Sequence, residues 1–189
     1  MNLPEQFVIA DIEYTCWEGS MERNWSEEWE KREIVEIGAV RVKGSTLEEI
    51  HHFLVIVKPR INPILSTYFI ALTGIEQERV DREGAVFPEA MKQFTTWVGD
   101  DLVFAWGMSE GGDWKVLEEN CGFHAISFPL ADKPFINAGD VFVGHGIAVE
   151  NYTSGTIVEA FGEKPIRRPH DGLNDARTIL DGLRFLRNA

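Results

Sequence analysis

The sequence predicts an α/β fold, with a mixed sheet that is antiparallel at one edge and covered by helices. Two observations predict it. Three strand-like apolar runs come first, and shorter strands then alternate with helical stretches. At 189 residues and 44% hydrophobic content, the chain can bury a sizeable core as a single domain spanning 1–189. No repeat or low-complexity tract divides it.

FVIADI, residues 7–12, is apolar up to Asp11, as a strand buried on both faces would be. IVEIGAVRV, residues 34–42, gives a second strand, with Gly38 expected at a bulge. HFLVIVK, residues 52–58, gives a third, and the GSTLEE turn region between them predicts an antiparallel hairpin. PRINP follows, then a short helix over 66–73 that Gly74 stops. Residues 86–99 form an amphipathic helix, with Phe87, Met91, Phe94 and Val98 along one stripe. DLVFAW, residues 101–106, is the fourth strand, and 113–120 is a helix followed by Gly122. Phe135, Ile136 and Asn137 give a short fifth strand leading into a helix that ends near 144–146. Residues 153–161 read as helical, with Gly162 behind them. The last helix covers 172–187, with Leu173, Ala176, Ile179, Leu180 and Leu183 turned inward.

The net charge is −13, from 18 basic and 31 acidic residues. That argues against a nonspecific nucleic-acid coat protein and against anionic membranes. The longest apolar runs stop short of the roughly 18–20 residues that span a bilayer, so no membrane partner is expected. MNLPEQ carries no basic n-region, and Cys16 and Cys121 are too few and too far apart for a disulfide framework. A cytoplasmic protein with reduced thiols is the expectation.

Asp11 and Glu13 end the first strand at a spacing of two, so both side chains point to the same face. Side-by-side carboxylates repel each other and resist burial. Either they project into water or something positive lies between them. Asp113 follows the fourth strand and opens a helix, at the sheet end where open α/β folds place ligands. Alone, it reads equally as a helix N-cap. In RRPHDGLNDART, His170 and Asp175 stand five apart across the start of the last helix, where Asp171 or Asn174 can supply the cap. Each signal is weak alone. Together they suit a site in which carboxylates from different elements hold two hard cations such as Mg²⁺, with His as a base near neutral pH.

With these motifs in order, the chain resembles the DEDD superfamily of 3′→5′ exonucleases, in the branch that uses histidine. The match runs from about residue 7 to residue 186. DIEYTCW followed by EIVEIGAV is similar to the enhancer-of-RNAi-like and ribonuclease-T-like members. FIALTGI, residues 69–75, resembles the family's second conserved stretch. The resemblance implies an RNase H-like fold with a central mixed five-stranded sheet flanked by helices. It implies Asp11, Glu13, Asp113 and Asp175 as ligands of two Mg²⁺ ions, which Mn²⁺ can replace, and His170 as general base. It implies that Ile12, Tyr14, Trp17, Leu72 and Thr73 contact the substrate. The sequence departs from the family in a long, Trp-rich loop after the first strand and in extra residues between Trp106 and Asp113.

Of the tryptophans, Trp17 lies just past the first strand and is the best placed to stack on a base. Trp25, Trp29, Trp106 and Trp114 read more simply as packing. Arg167 and Arg168 suit a phosphate contact or a solvated pair equally. The resulting expectation is a metal-dependent exonuclease acting on single-stranded RNA or DNA 3′ ends, RNA by subfamily likeness, with a homodimer open. A DNA-directed trimming exonuclease and a noncatalytic nucleic-acid-binding module on the same fold are the alternatives.

Overall fold

The computed structural model describes residues 3–107 and 112–188. Strands β1 (Gln6–Tyr14), β2 (Ile34–Lys43), β3 (Glu48–Ile56), β4 (Leu102–Ala105) and β5 (Phe135–Asn137) form one sheet in the order β3-β2-β1-β4-β5. The β1–β2 and β2–β3 pairs are antiparallel, and β1–β4 and β4–β5 are parallel. The helices are α1 (Thr67–Thr73), α2 (Gln77–Glu83), α3 (Phe87–Val98), α4 (Asp113–Phe123), α5 (Ala138–Val143) and α6 (Gly172–Asn188). The mixed sheet with flanking helices has the RNase H-like architecture that the resemblance implied.

β1 lies at the centre, which is why its apolar run is unbroken: every residue from Phe7 to Glu13 is buried. Val8, Ala10 and Ile12 pack on one face of the sheet with the inward stripe of α3 and with Val116 and Leu117 of α4. Phe7 and Ile9 pack on the other face with Phe142 of α5 and with Ala176, Ile179 and Leu180 of α6. Asp11 and Glu13 therefore continue the row that faces α6.

Four local expectations change. Gly38 is not at a bulge, because it sits in regular register between Asp11 and Leu54, and the irregularities fall at Glu13/Tyr14 and Arg41/Val42. What requires glycine there is the docking of α6, for a Cβ would stand 2.1 Å from the Leu173 amide nitrogen. The third strand begins at Glu48 rather than 52, and its sheet-edge position leaves it too exposed to show a clear apolar alternation. α2 was not anticipated; it is one short helix with Val80 as its buried residue, so no stripe marks it. Within 153–161 only Ile157–Phe161 is helical, as a 3₁₀ turn. The extra residues expected between Trp106 and Asp113 fall at 108–111, outside the described residues.

Candidate active site

The carboxyl ends of β1 and β4 and the start of α6 meet at one recess. Asp11 and Glu13 are 4% and 8% exposed at the end of β1. Asp113 is the first residue of α4, and its amide donates to the Trp106 carbonyl at 3.2 Å. Asp175 lies in the first turn of α6 and is 2% exposed. Its Oδ2 accepts the His170 amide at 3.0 Å and the Ser154 hydroxyl at 3.5 Å. Asp171 caps the helix, its Oδ1 accepting the Asn174 amide at 2.9 Å. Asp175 is thus free of capping duty. His170 holds a left-handed backbone with φ 62°, a strained conformation for a non-glycine residue.

The recess is lined by Asp11, Glu13, Asp113, His170 and Asp175 together. Single ligand atoms of Glu13, His170 and Asp175 lie within 4.8 Å of one another. Burial raises the pKa of Asp11 well above the ordinary carboxylate range, and the charges of Asp113, Asp175 and Glu13 raise it further. Burial likewise raises Glu13, with Asp175 and Glu36 adding to it. Burial raises Asp113 despite a bond to the Trp106 backbone. Burial pushes Asp175 up to about 7. His170 moves the other way: burial lowers it, and so does the charge of Arg168.

Oδ2 of Asp113 and Oδ1 of Asp175 are buried with no hydrogen-bond partner. Among the described residues no Lys or Arg forms an ion pair with Asp11, Glu13, Asp113 or Asp175. Converging carboxylates with unpartnered oxygens and no cationic side chain fit hard divalent cations, which take oxygen ligands.

The remaining expected contacts divide. Tyr14 and Leu72 line the recess; Ile12 borders it but is 4% exposed and packs mainly into the core. Burial raises the Tyr14 phenol, so it stays protonated. Thr73 is not brought into the recess. Its hydroxyl donates to the Phe69 carbonyl and accepts the Ile75 amide, each at 3.0 Å, closing the end of α1. Trp17 packs edge-on against Trp29 at 4.8 Å and is not in the lining either. Trp114 stacks on Phe135 at 4.8 Å, and Trp25 donates its indole N–H to the Thr15 carbonyl. Arg168 reaches back to the Ala71 and Leu72 carbonyls at 2.9 and 3.3 Å, and Arg167 pairs with Asp181 at 2.5 Å. Met21, Thr153 and Ser154 line the recess without having been singled out as contacts, and Trp106, read from the sequence as packing, lines it too. Ser154 carries no spacing signal, since its relation to Asp175 arises only from the fold.

Converging carboxylates of this kind suit divalent cations that act on a phosphodiester. The chain matches the RNase_T exonuclease family over residues 8–183 and belongs to it. The mouse 3′-5′ exoribonuclease 1 is 31% identical over 182 residues, covering 93% of this chain and 51% of that protein. The human ERI1 exoribonuclease 2 is 28% identical over 197 residues, covering 93% of this chain and 27% of that one. The chain spans about half the length, or less, of these relatives. Among solved structures, the nuclease domain of 3′hExo, a DEDDh family member bound to rAMP, superposes with a TM-score of 0.79 at 27% identity. That match covers 98% of this chain and 93% of the other.

Proposed function

We propose that this chain is a 3′→5′ exonuclease that removes nucleotides from the 3′ end of single-stranded nucleic acid, RNA in preference to DNA. The observation that carries it is the convergence of Asp11, Glu13, Asp113 and Asp175 around unpartnered buried oxygens, with His170 alongside. The recess supports the single-strand preference: Asp11, Glu13 and Asp175 are only 2–8% exposed, so a terminal nucleotide must leave a duplex to reach them. The RNA preference rests on relatives described as exoribonucleases.

The four carboxylates would hold two Mg²⁺ ions, with Mn²⁺ as a substitute. When bound, such ions neutralise the phosphodiester and its leaving oxygen. His170 accepts the proton of the attacking water on its imidazole, and its lowered pKa keeps the ring neutral for that step near pH 7. Leu72 and Tyr14 form apolar wall against the terminal nucleotide. Met21, 46% exposed over the same recess, extends that wall from the loop after β1. We place the protein in the cytoplasm, on the strength of its two buried free thiols.

Matched single-stranded RNA and DNA oligonucleotides, labelled at the 5′ end and incubated with Mg²⁺, test the reading. A product ladder shortening from the 3′ end, faster on RNA, is expected. Internal cuts, or DNA degraded faster than RNA, would contradict it.

A further inference from the structure

We propose that Glu36 is a positioning residue: it fixes the start of α6, and with it His170 and Asp175, on the strand pair that carries Asp11 and Glu13. The inference rests on the nuclease reading above.

Glu36 is 1% exposed near the start of β2, directly opposite Glu13 in the antiparallel register. Burying a carboxylate beside another acid is unfavourable unless it is bonded. Its Oε1 accepts the Gly172 amide at 2.9 Å. That amide belongs to the first turn of the 17-residue α6, whose N–H groups have no partner within the helix. Its Oε2 lies 3.7 Å from the Arg79 guanidinium on α2, which balances part of the charge.

Around this bond, backbone meets backbone. Gly38 pairs with Asp11, and a Cβ on Gly38 would stand 2.1 Å from the Leu173 nitrogen and 2.3 Å from the Gly172 carbonyl carbon. A Cβ on Gly172 would stand 2.9 Å from the Asp11 carbonyl oxygen. The two glycines let α6 rest on the strand pair without side chains between. Smooth contact of that kind sets a distance but leaves sliding along the strand open. The Glu36–Gly172 bond removes that freedom at the helix start, whereas the bonds of Arg177 to Glu49 and of Arg184 to the Leu47 carbonyl hold α6 further along. His170 lies two residues before Gly172 and Asp175 three after it, so any slip of the helix start displaces both. Misplacement of reacting groups by about 1 Å can cost on the order of 10²-fold in rate.

Reach, rather than charge, is what the role requires. Glu36→Gln keeps an acceptor oxygen at full length and loses the charge, whereas Glu36→Asp keeps the charge and withdraws it by one methylene. Three readouts apply to both variants: hydrogen exchange at the 172 and 173 amides, Mn²⁺ affinity of the metal-free protein by calorimetry, and kcat and KM on a single-stranded RNA oligonucleotide. Glu36→Asp is expected to exchange faster at 172 and 173, bind Mn²⁺ about 10-fold more weakly, and lose about 10²-fold in kcat with KM within a few-fold. Glu36→Gln is expected to recover most of each loss. Any other order overturns the proposal: Glu36→Gln at least as impaired as Glu36→Asp, or both at wild-type values. If the wild type cleaves nothing, the nuclease reading fails, while the exchange and Mn²⁺ measurements still decide the role of Glu36.

Discussion

The His170 amide donates to Oδ2 of Asp175 at 3.0 Å, so the proposed base is held to a proposed metal ligand through its backbone. The imidazole is not consumed by that bond. The strained φ of 62° at His170 is the conformation that turns the amide toward α6 while the side chain lines the recess.

His170→Ala separates general base from ligand. Loss of the base is expected to lower kcat about 10²–10⁴-fold while the Mn²⁺-induced rise in melting temperature persists. Because the ring also lies within 4.8 Å of Glu13 and Asp175 ligand atoms, the opposite pattern is well defined. A variant that no longer responds to Mn²⁺ would make His170 a ligand instead.

The rate should fall on the acid side as His170 takes a proton and can no longer accept one. Burial and Arg168 lower its pKa, so the acid limb is expected below the ordinary value of roughly 6.5. A kcat–pH profile on wild type and Arg168→Gln checks this. Arg168→Gln should move the limb upward, and a wild-type limb above 7 would contradict the assignment.

Without metal, the clustered carboxylates should make the protein less stable at higher pH. A carboxyl whose pKa is raised by folding binds its proton more tightly in the folded state. Its contribution is complete below about pH 4 and is lost as pH rises through about 7 for Asp175. Thermal melts in chelator from pH 5 to 8 should show a decline that Asp175→Asn makes shallower. Equal slopes for the two proteins would argue against the burial of that charge.

Leu72 and Thr73, adjacent in sequence, should separate functionally. Leu72→Ala is expected to raise KM several-fold with little change in melting temperature. Thr73→Val removes the hydroxyl that closes α1 and should cost about 1 kcal/mol of stability with KM unchanged. Kinetics on folded protein together with melts distinguishes the two, and a raised KM for Thr73→Val would return it to the binding surface.

The five candidate residues that the structure brings into one recess stood out in the sequence because each sits at an element's end with a chemistry that the fold alone does not need. Asp11 and Glu13 interrupt an apolar strand, and His170 and Asp175 straddle a helix start. Elements with strong periodicity, such as α3 and α6, were equally plain. What was hidden depends on tertiary contact. Gly38 looked like a bulge because the backbone of α6 that presses on it is more than 130 residues away in sequence. α2 has too little buried surface to leave a stripe. Thr73 and Trp17 were placed by motif and position, and only the local bonds of one and the ring contact of the other show where they turn.

Asp11, Glu13, Asp113 and Asp175 are proposed to hold the divalent cations that the reaction requires. The most direct measurement is hydrolysis of a 5′-labelled single-stranded RNA by wild type and Asp11→Asn, each with Mg²⁺ and with excess chelator. Wild-type cleavage from the 3′ end that chelator abolishes and Mg²⁺ restores, with Asp11→Asn folded but inactive in both, is the predicted result. Full activity in excess chelator, or near-normal turnover by Asp11→Asn, would contradict the account.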